Sequence, residues 1–145
     1  MKVLSLFDGI SCGMLALQRA GIPVECYDAF EIDKYAVTVS KRNFPVIVHH
    51  GNVYDGDFTK FQGYDLLLGG SPCTYWSIAK KDREVDCNGE GFRLFKEYVR
   101  ALEESGCKYF LYENNYSVHQ RIKDEITRVL GVEPIICLLY TSPSP

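Results

Sequence analysis

The sequence predicts an α/β fold in which a mostly parallel sheet has helices on both faces. Short apolar runs with β-branched residues alternate with segments whose apolar residues recur at helical spacing. Glycine and proline residues separate these segments, which is typical of strands and helices that alternate along a parallel sheet. The 145 residues amount to one domain or a piece of one, and the 46% hydrophobic content is that of a globular chain.

The first half of the chain contains two strand–helix pairs and a third short strand. The predicted strands cover residues 2–6, 24–30 and 46–48, and the predicted helices cover 12–17 and 34–42. Ser11 is expected to be the N-cap of the first helix, which Gly21 and Pro23 end. Asn43 and Pro45 are expected to end the second helix because proline cannot continue it.

The second half continues the same alternation. The predicted strands cover residues 64–68, 109–112 and 134–138. Two helices are predicted from apolar residues at helical spacing, namely Phe92, Phe95, Val99 and Leu102 in the first and Val118, Ile122, Ile126 and Val129 in the second. Gly106 and Gly131 are expected to end them. Residues 77–91 form a polar, charge-rich loop, and residues 139–145 are expected to be irregular.

Composition and charge argue against several classes of protein. The net charge of −3 gives no overall signal for nucleic acid, so such a partner has to be argued from a local site. No apolar run approaches the ~20 residues that span a bilayer, and the start of the chain lacks a signal peptide, so a cytoplasmic protein is expected. The six cysteines contain no Cys-x-x-Cys pair, which disfavours a thiol redox module, and most are expected to be buried.

Chemically active residues follow the predicted strands, where ligands bind in open α/β sheets. They are a glycine turn, an acid, an amide, a thiol and a second acid: Phe7-Asp8-Gly9, Glu31, Gly51-Asn52-Val53, Gly70-Ser71-Pro72-Cys73 and Glu113-Asn114-Asn115. A purely structural protein does not need this set, so the sequence indicates a binding or catalytic site.

The first turn and Glu31 indicate a nucleoside ligand. The turn is neither G-x-G-x-x-G nor a P-loop, but Gly9 allows close approach of the backbone, and a following helix N-terminus can hold a carboxylate. Glu31 lies 22 residues beyond Gly9, about the spacing at which an acid binds a ribose hydroxyl. An adenosine-type ligand without phosphates, such as S-adenosylmethionine, fits these residues, and an ordinary turn with a surface glutamate fits them equally well.

Cys73 is the candidate nucleophile. It follows Pro72 in a glycine-rich turn at a strand end, so its thiol is expected to face the crevice, and basic residues in the following loop favour the thiolate. The three histidines belong to no cysteine-protease signature. Glu113, at the end of the neighbouring strand, is therefore the better partner for the thiol.

Three segments resemble motifs of the cytosine-C5 DNA methyltransferases. Residues 4–13 are similar to the cofactor motif of that family, residues 69–73 with Ser77 to its nucleophile motif, and Glu113-Asn114 to the start of its Glu-Asn-Val motif. The Gly-Gly-Ser-Pro-Cys segment is the most specific of the three. Residues 31–33 and 51–53 fit the ribose and adenine positions, and residues 91–95 resemble the helix motif after the catalytic loop. The resemblance covers roughly residues 1–136 and implies a Rossmann-like, S-adenosylmethionine-dependent methyltransferase fold, incomplete at its C-terminus.

The resemblance implies methyl transfer from S-adenosylmethionine to C5 of cytosine in DNA through a covalent adduct of Cys73 at C6. It assigns catalysis to Cys73, Glu113 and Asn114. It assigns cofactor binding to Phe7, Asp8, Gly9, Ile10, Gly13, Glu31, Ile32, Asn52, Val53 and Pro72. The loop residues Ser77, Lys80, Lys81 and Arg83 are expected to contact DNA that carries a flipped cytosine, although an ordinary solvated loop of mixed charge fits them equally well. No metal is expected.

Three residues depart from the family pattern, and some family segments are not found. Asn52 replaces an aspartate, Thr74 a glutamine or asparagine, and Asn115 a valine. We find no Gln-x-Arg-x-Arg segment, target-recognition region or final helix. The expectation is therefore that residues 1–138 are the cofactor-binding and catalytic part of a methyltransferase domain and that residues 139–145 are a non-native tail of a truncated product. An inactive cofactor-binding fragment and a tRNA cytosine-C5 methyltransferase remain alternatives, and the resemblance leaves open whether a restriction endonuclease is a partner.

Overall fold

In the computed structural model, which describes residues 1–137, five parallel strands form one sheet between two layers of helices. The strands are β1 (Lys2–Leu6), β2 (Cys26–Phe30), β3 (Val48–His49), β4 (Leu66–Gly69) and β5 (Tyr109–Tyr112). The helices are α1 (Cys12–Arg19), α2 (Lys34–Asn43), α3 (Glu90–Ser105) and α4 (Gln120–Leu130). The strand order is β3-β2-β1-β4-β5, so the predicted parallel α/β architecture is confirmed.

The order of the strands creates a switch point between β1 and β4. From β1 the chain proceeds outward to β2 and β3, and it then crosses to β4 and β5 on the other side. Leu6 of β1 lies opposite both Phe30 of β2 and Gly69 of β4. Gly69 in turn lies opposite Tyr112 of β5. The four strands therefore end level with one another, and the residues that follow them emerge at one edge, where α/β sheets bind ligands.

The central strands are buried on both faces. On β1, Val3 faces a core that contains Met14 and Leu17 of α1, whereas the next residue, Leu4, faces a core that contains Tyr98 of α3. This alternation follows from the two-residue period of a strand. A third core joins α3 and α4 to the loop after β4, and its buried members are Trp76, Phe92, Phe95, Val118 and Ile122.

The buried face of α3 differs from the predicted one. Phe92 and Phe95 are buried as predicted, but Tyr98 and Ala101 are also completely buried, whereas Val99 and Leu102 are only half-buried. Tyr98 points inward because its ring packs against Gly69. A side chain at position 69 would occupy the space that the ring takes. Gly106 ends the helix in the left-handed conformation, as expected.

Some sequence-based expectations differ from the structure. Residues 134–137 form no strand, Leu138 and residues 139–145 lie outside the described part of the chain, and three 3₁₀ turns were not predicted. The expectation of mostly buried thiols is wrong, because only Cys107 is buried among the six cysteines. Within residues 1–137 we find no helix long and apolar enough to cross a membrane.

Candidate functional site

The glycine turn after β1 and the acid after β2 lie in contact. The backbone N–H of Gly9 donates to Oε2 of Glu31 at 2.8 Å. The other carboxylate oxygen, Oε1, accepts from the backbone N–H groups of Ile32 and Asp33, each at 2.8 Å. Three donors do not exhaust the roughly four lone-pair sites of a carboxylate, so Glu31 keeps the capacity to accept from a ligand hydroxyl.

Asp8 holds the first turn from within. Its carboxylate accepts from the Ser5 hydroxyl at 2.6 Å, from the Tyr27 hydroxyl at 2.7 Å and from the Ser11 hydroxyl. Burial, and after it the charge of Asp8, raises the pKa of Tyr27, so this tyrosine stays protonated and remains a donor. The predicted cofactor residue Asp8 therefore shapes the turn through its protein partners.

The backbone of this turn is strained at two residues that are not glycine. Phe7 and Ser11 have φ values of 57° and 66°, in the left-handed region that most side chains disfavour. Ser11 is the N-cap residue of α1, but its side chain does not cap the helix, because it bonds to Asp8. Strain of this kind persists only where surrounding contacts fix the backbone, and it is frequent at binding sites.

Two further predicted cofactor residues pack against the protein. Phe7 is half-buried against the core that contains Tyr98. A Cβ on Gly13 would lie 2.8 Å from Leu68 Cδ1 and 2.9 Å from the Tyr27 hydroxyl, so only glycine lets α1 approach the sheet this closely.

A chain of side chains extends from the first turn to β3. The hydroxyls of Ser11 and Ser40 are 2.6 Å apart, and that of Ser40 is 3.1 Å from Nε2 of His49. The other ring nitrogen of His49, Nδ1, is buried without a hydrogen-bond partner. Burial lowers the pKa of His49, because a second ring N–H would have no acceptor there.

The segment after β3 presents an amide and a buried valine. Oδ1 of Asn52 accepts from the backbone N–H of Tyr54 at 3.1 Å and so caps a 3₁₀ turn, Val53–Asp55. Val53 itself is buried in the core, whereas Asn52 is exposed. The predicted cofactor residues Ile10 and Ile32 are exposed apolar side chains at the same edge of the sheet, with 50% and 75% of their surface accessible.

Arg100 of α3, which the sequence analysis missed, holds this segment in place. Its guanidinium donates to the carbonyl oxygens of Val53 at 3.0 Å and Gly56 at 2.9 Å. It also pairs with Glu97 at 2.6 Å and Glu104 at 3.2 Å. The spacing of these acids, three residues before and four after the arginine, was visible in the sequence, but the two carbonyl partners lie far away along the chain.

The predicted nucleophile lies in an exposed turn beside the second acid. Cys73 is exposed and begins a 3₁₀ turn, Cys73–Tyr75, after β4. A Cβ on Gly70 would overlap the carbonyl oxygen of Glu113 and come within 3.2 Å of its Oε2. The turn that leads to Cys73 therefore lies directly against Glu113, and a glycine is required for this approach.

Asn114 joins the ends of β4 and β5. Its Nδ2 donates to the carbonyl oxygen of Ser71 at 2.9 Å, and its Oδ1 accepts from the backbone N–H of Asn115. The buried hydroxyl of Ser71 lies 2.7 Å from the hydroxyl of Tyr112. Burial raises the pKa of Tyr112 to about 12. These bonds fix the position of Pro72, which is exposed between Ser71 and Cys73.

The loop residues predicted to contact DNA differ in whether their side chains already form hydrogen bonds within the protein. Lys80 and Lys81 are exposed. Arg83 is half-buried and donates to the carbonyl oxygen of Ser117 at 2.9 Å. The Ser77 hydroxyl accepts from the backbone N–H of Ala79 at 3.2 Å. Two lysines are thus the loop cations most available to a partner.

Sequence comparisons relate the chain to one family. The family model for C-5 cytosine-specific DNA methylase matches residues 1–130. Orphan methyltransferase M.SPRI of Bacillus phage SPR is 39% identical over 118 residues, which cover 79% of this chain and 26% of that protein. Type II methyltransferase M.HgiCII of Herpetosiphon aurantiacus is 34% identical over 116 residues, which cover 78% and 25%. The chain spans about a quarter of the length of these curated relatives.

Solved structures share the fold. A DNMT2 from Spodoptera frugiperda superposes with a TM-score of 0.69 at 22% identity, over 90% of this chain and 40% of that one. The Dnmt2 methyltransferase of S. pombe superposes with a TM-score of 0.64 at 17% identity, over 90% of this chain and 41% of that one. The Rossmann-like methyltransferase fold expected from the sequence is confirmed.

We expect Arg100→Lys to lower the free energy of unfolding by about 2 kcal/mol, because a single ammonium cannot replace the bonds of the guanidinium to two carbonyls and two carboxylates. Urea denaturation measures the loss, and amide hydrogen exchange should rise in residues 53–56. The control is Arg128→Lys, which affects an exposed pair with Glu125 and should cost less than about 0.5 kcal/mol. Equal losses in the two variants would contradict the anchoring role.

We expect the free energy of unfolding to fall more steeply on acidification in the wild-type protein than in the His49→Gln variant. The pKa of His49 is lower in the folded than in the unfolded state, so the unfolded chain binds more protons below its ordinary pKa of about 6.5. Stability therefore falls as the pH drops from about 7 to about 5. Urea denaturation across this range measures both slopes, and identical slopes would show that His49 does not contribute.

Proposed function

The chain belongs to the C-5 cytosine-specific DNA methylase family, and on this premise we propose that the protein transfers a methyl group from S-adenosylmethionine to C5 of cytosine in DNA. One observation carries the proposal: Gly70, three residues before the exposed Cys73, lies against Glu113, at the edge of the sheet where Gly9 and Glu31 also meet. The proposed nucleophile, its acid and the proposed nucleoside-binding residues thus follow strands that end at the same level.

The crevice at the ends of β1 to β3 suits S-adenosylmethionine. Glu31 retains acceptor capacity for ribose hydroxyls, and the exposed side chains of Ile10 and Ile32 offer apolar surface for a purine. Asn52 offers an exposed amide where the family has a carboxylate. The residues proposed to hold the cofactor are Phe7, Asp8, Gly9, Ile10, Gly13, Glu31, Ile32, Asn52, Val53 and Pro72. Among these, Asp8 and Gly13 act by shaping the turn and seating α1.

Covalent catalysis explains why a thiol is needed. The C5 carbon of cytosine is a poor nucleophile, and addition of the Cys73 thiolate to C6 makes C5 electron-rich. Glu113 is proposed to hold the N3 and amino edge of the base, and its carboxyl group donates a proton to N3 as the thiolate adds, which neutralises the negative charge that develops there. S-adenosylmethionine, when bound, supplies the methyl group to C5. Loss of the C5 proton and elimination of the thiolate then restore the aromatic ring.

Asn114 is proposed to position the two catalytic residues. Asn114 directly follows Glu113, and its side-chain amide donates to the carbonyl oxygen of Ser71, two residues before Cys73, and accepts from the backbone N–H of Asn115. Preorganisation of this kind keeps reacting groups in place without a cost at the moment of reaction.

The substrate base has to leave the duplex to reach this edge of the sheet, because its reacting carbons are inaccessible within a stacked helix. Lys80 and Lys81 are proposed to bind phosphates, since they are exposed next to the Cys73 turn. Arg83 and Ser77 are proposed to contact DNA as well, from positions that their bonds to Ser117 and Ala79 hold.

The chain spans about a quarter of the length of its curated relatives, which favours the alternative of a cofactor-binding part without transfer activity. Residues 1–138 are proposed to form the cofactor-binding and catalytic part of a methyltransferase domain, and such a part could bind S-adenosylmethionine without transferring its methyl group. Calorimetry with the cofactor, beside methyl-transfer assays on DNA and on tRNA, separates the alternatives. Binding without transfer supports the cofactor-binding part, and transfer to tRNA alone supports an RNA substrate.

We expect Cys73→Ser to abolish covalent trapping by DNA that contains 5-fluorocytosine, because the adduct at C6 forms through the thiolate. Denaturing electrophoresis of the complex with S-adenosylmethionine measures the adduct, and calorimetry should show unchanged cofactor affinity. The matched control is Cys137→Ser, at another exposed cysteine, which should trap DNA like the wild type. An adduct formed equally well by Cys73→Ser would refute the assignment.

We expect Glu113→Gln to slow adduct formation by about 100-fold or more, because an amide has no proton that it can transfer to N3 of the base. The cofactor affinity should stay unchanged, since Glu113 lies outside the proposed cofactor residues. The control is Glu103→Gln, an exposed glutamate on α3. Wild-type trapping rates in Glu113→Gln would remove Glu113 from the mechanism.

A further inference from the structure

The turn that carries the exposed thiol is anchored by a buried side chain three residues later. Trp76 is the single tryptophan of the chain and is completely buried. Its indole packs in the third core, with Phe92 of α3 and Ile122 of α4. The backbone N–H of Trp76 donates to the carbonyl oxygen of Cys73 at 3.0 Å. The position of Cys73 thus depends on how Trp76 is held.

Glu84 joins the far end of the loop to this tryptophan. Its backbone N–H donates to the carbonyl oxygen of Tyr75 at 2.9 Å. Its Oε2 accepts from Nε1 of Trp76 at 3.2 Å and from the backbone N–H of Gly91 at 3.1 Å. Gly91 lies in the first turn of α3, and the N-cap residue Gly89 has no side chain to cap that turn. The Glu84 carboxylate therefore also serves as the cap of α3.

Two glycines leave the space that this arrangement needs. A Cβ on Gly89 would overlap the carboxyl group of Glu84, and one on Gly91 would lie 2.6 Å from Nε1 of Trp76. Gly89 has an ordinary φ of −80°, so a larger residue is excluded there by space and not by backbone conformation. The contact between Glu84 and Trp76 thus explains why glycines lie at positions 89 and 91.

We propose that Glu84 is a positioning residue for Cys73, because its carboxylate fixes Trp76 on the first turn of α3 and thereby fixes the turn that presents the thiol. This inference rests on the proposed function of Cys73. The bond between Glu84 and Tyr75 also closes the part of the loop that carries Lys80 and Lys81.

Acrylamide quenching of the Trp76 fluorescence tests the contact directly. Glu84→Ala should raise the quenching constant severalfold and shift the emission to longer wavelength, because the indole loses its acceptor and its cover. Glu84→Gln should behave like the wild type, since one amide oxygen can accept both hydrogen bonds. Asp82→Ala, which removes an exposed acid from the same loop, is the matched control.

A double-mutant cycle separates the contact with Trp76 from any other effect that the loss of Glu84 has on the fold. Gly89→Ala should displace the carboxylate and reproduce the fluorescence of Glu84→Ala, because the new methyl group takes its place. In the Glu84→Ala background the same substitution should change little, since no carboxylate remains to be displaced. Additive effects of the two substitutions, or unchanged quenching in Glu84→Ala, would overturn the proposed contact.

Trapping by 5-fluorocytosine DNA tests the positioning role. Glu84→Ala should form the adduct about tenfold more slowly or worse, at unchanged affinity for S-adenosylmethionine, because a displaced thiolate misses the base. Glu84→Gln should restore the wild-type rate. An equal rate in Glu84→Ala, despite raised quenching, would overturn the positioning role. Absence of an adduct in the wild type would instead overturn the proposed function, and the quenching experiments would still decide whether Glu84 holds Trp76.

Discussion

The pairing of β1 with β2 on one side and β4 on the other determines where every candidate residue lies. Because Leu6 pairs with both Phe30 and Gly69, the chain leaves these strands at the same level. Residues as distant in sequence as Glu31 and Cys73 therefore reach one edge of the sheet. A shift of one residue in either pairing would invert the side chains of a whole strand and separate the acid from the glycine turn.

Helix α3 supports both parts of that edge. Arg100, near its middle, holds the carbonyl oxygens of the segment that follows Asn52. At its first turn, Gly91 and Glu84 hold the tryptophan next to the Cys73 turn. A rigid element that contacts both segments keeps the proposed cofactor pocket and the proposed nucleophile in a fixed relation, which loops alone do not provide.

The sequence predicted what depends on local patterns, namely five of the six proposed strands, the four helices and the family motifs. It did not predict features that depend on distant partners. Arg100 looked like an ordinary surface residue of α3, because its carbonyl partners lie more than forty residues away. The expectation of buried cysteines was wrong for a related reason: Cys137 follows Ile135 and Ile136 in sequence, yet all three residues are exposed.

Hydrogen bonds within the protein hold the turn after β1. Three hydroxyl groups hold Asp8, and Phe7 and Ser11 keep backbone angles that a loose chain would abandon. Folding has thus already met the entropic cost of ordering this surface. A small molecule that binds there gives up mainly its own freedom of motion, so weak individual contacts suffice for useful affinity.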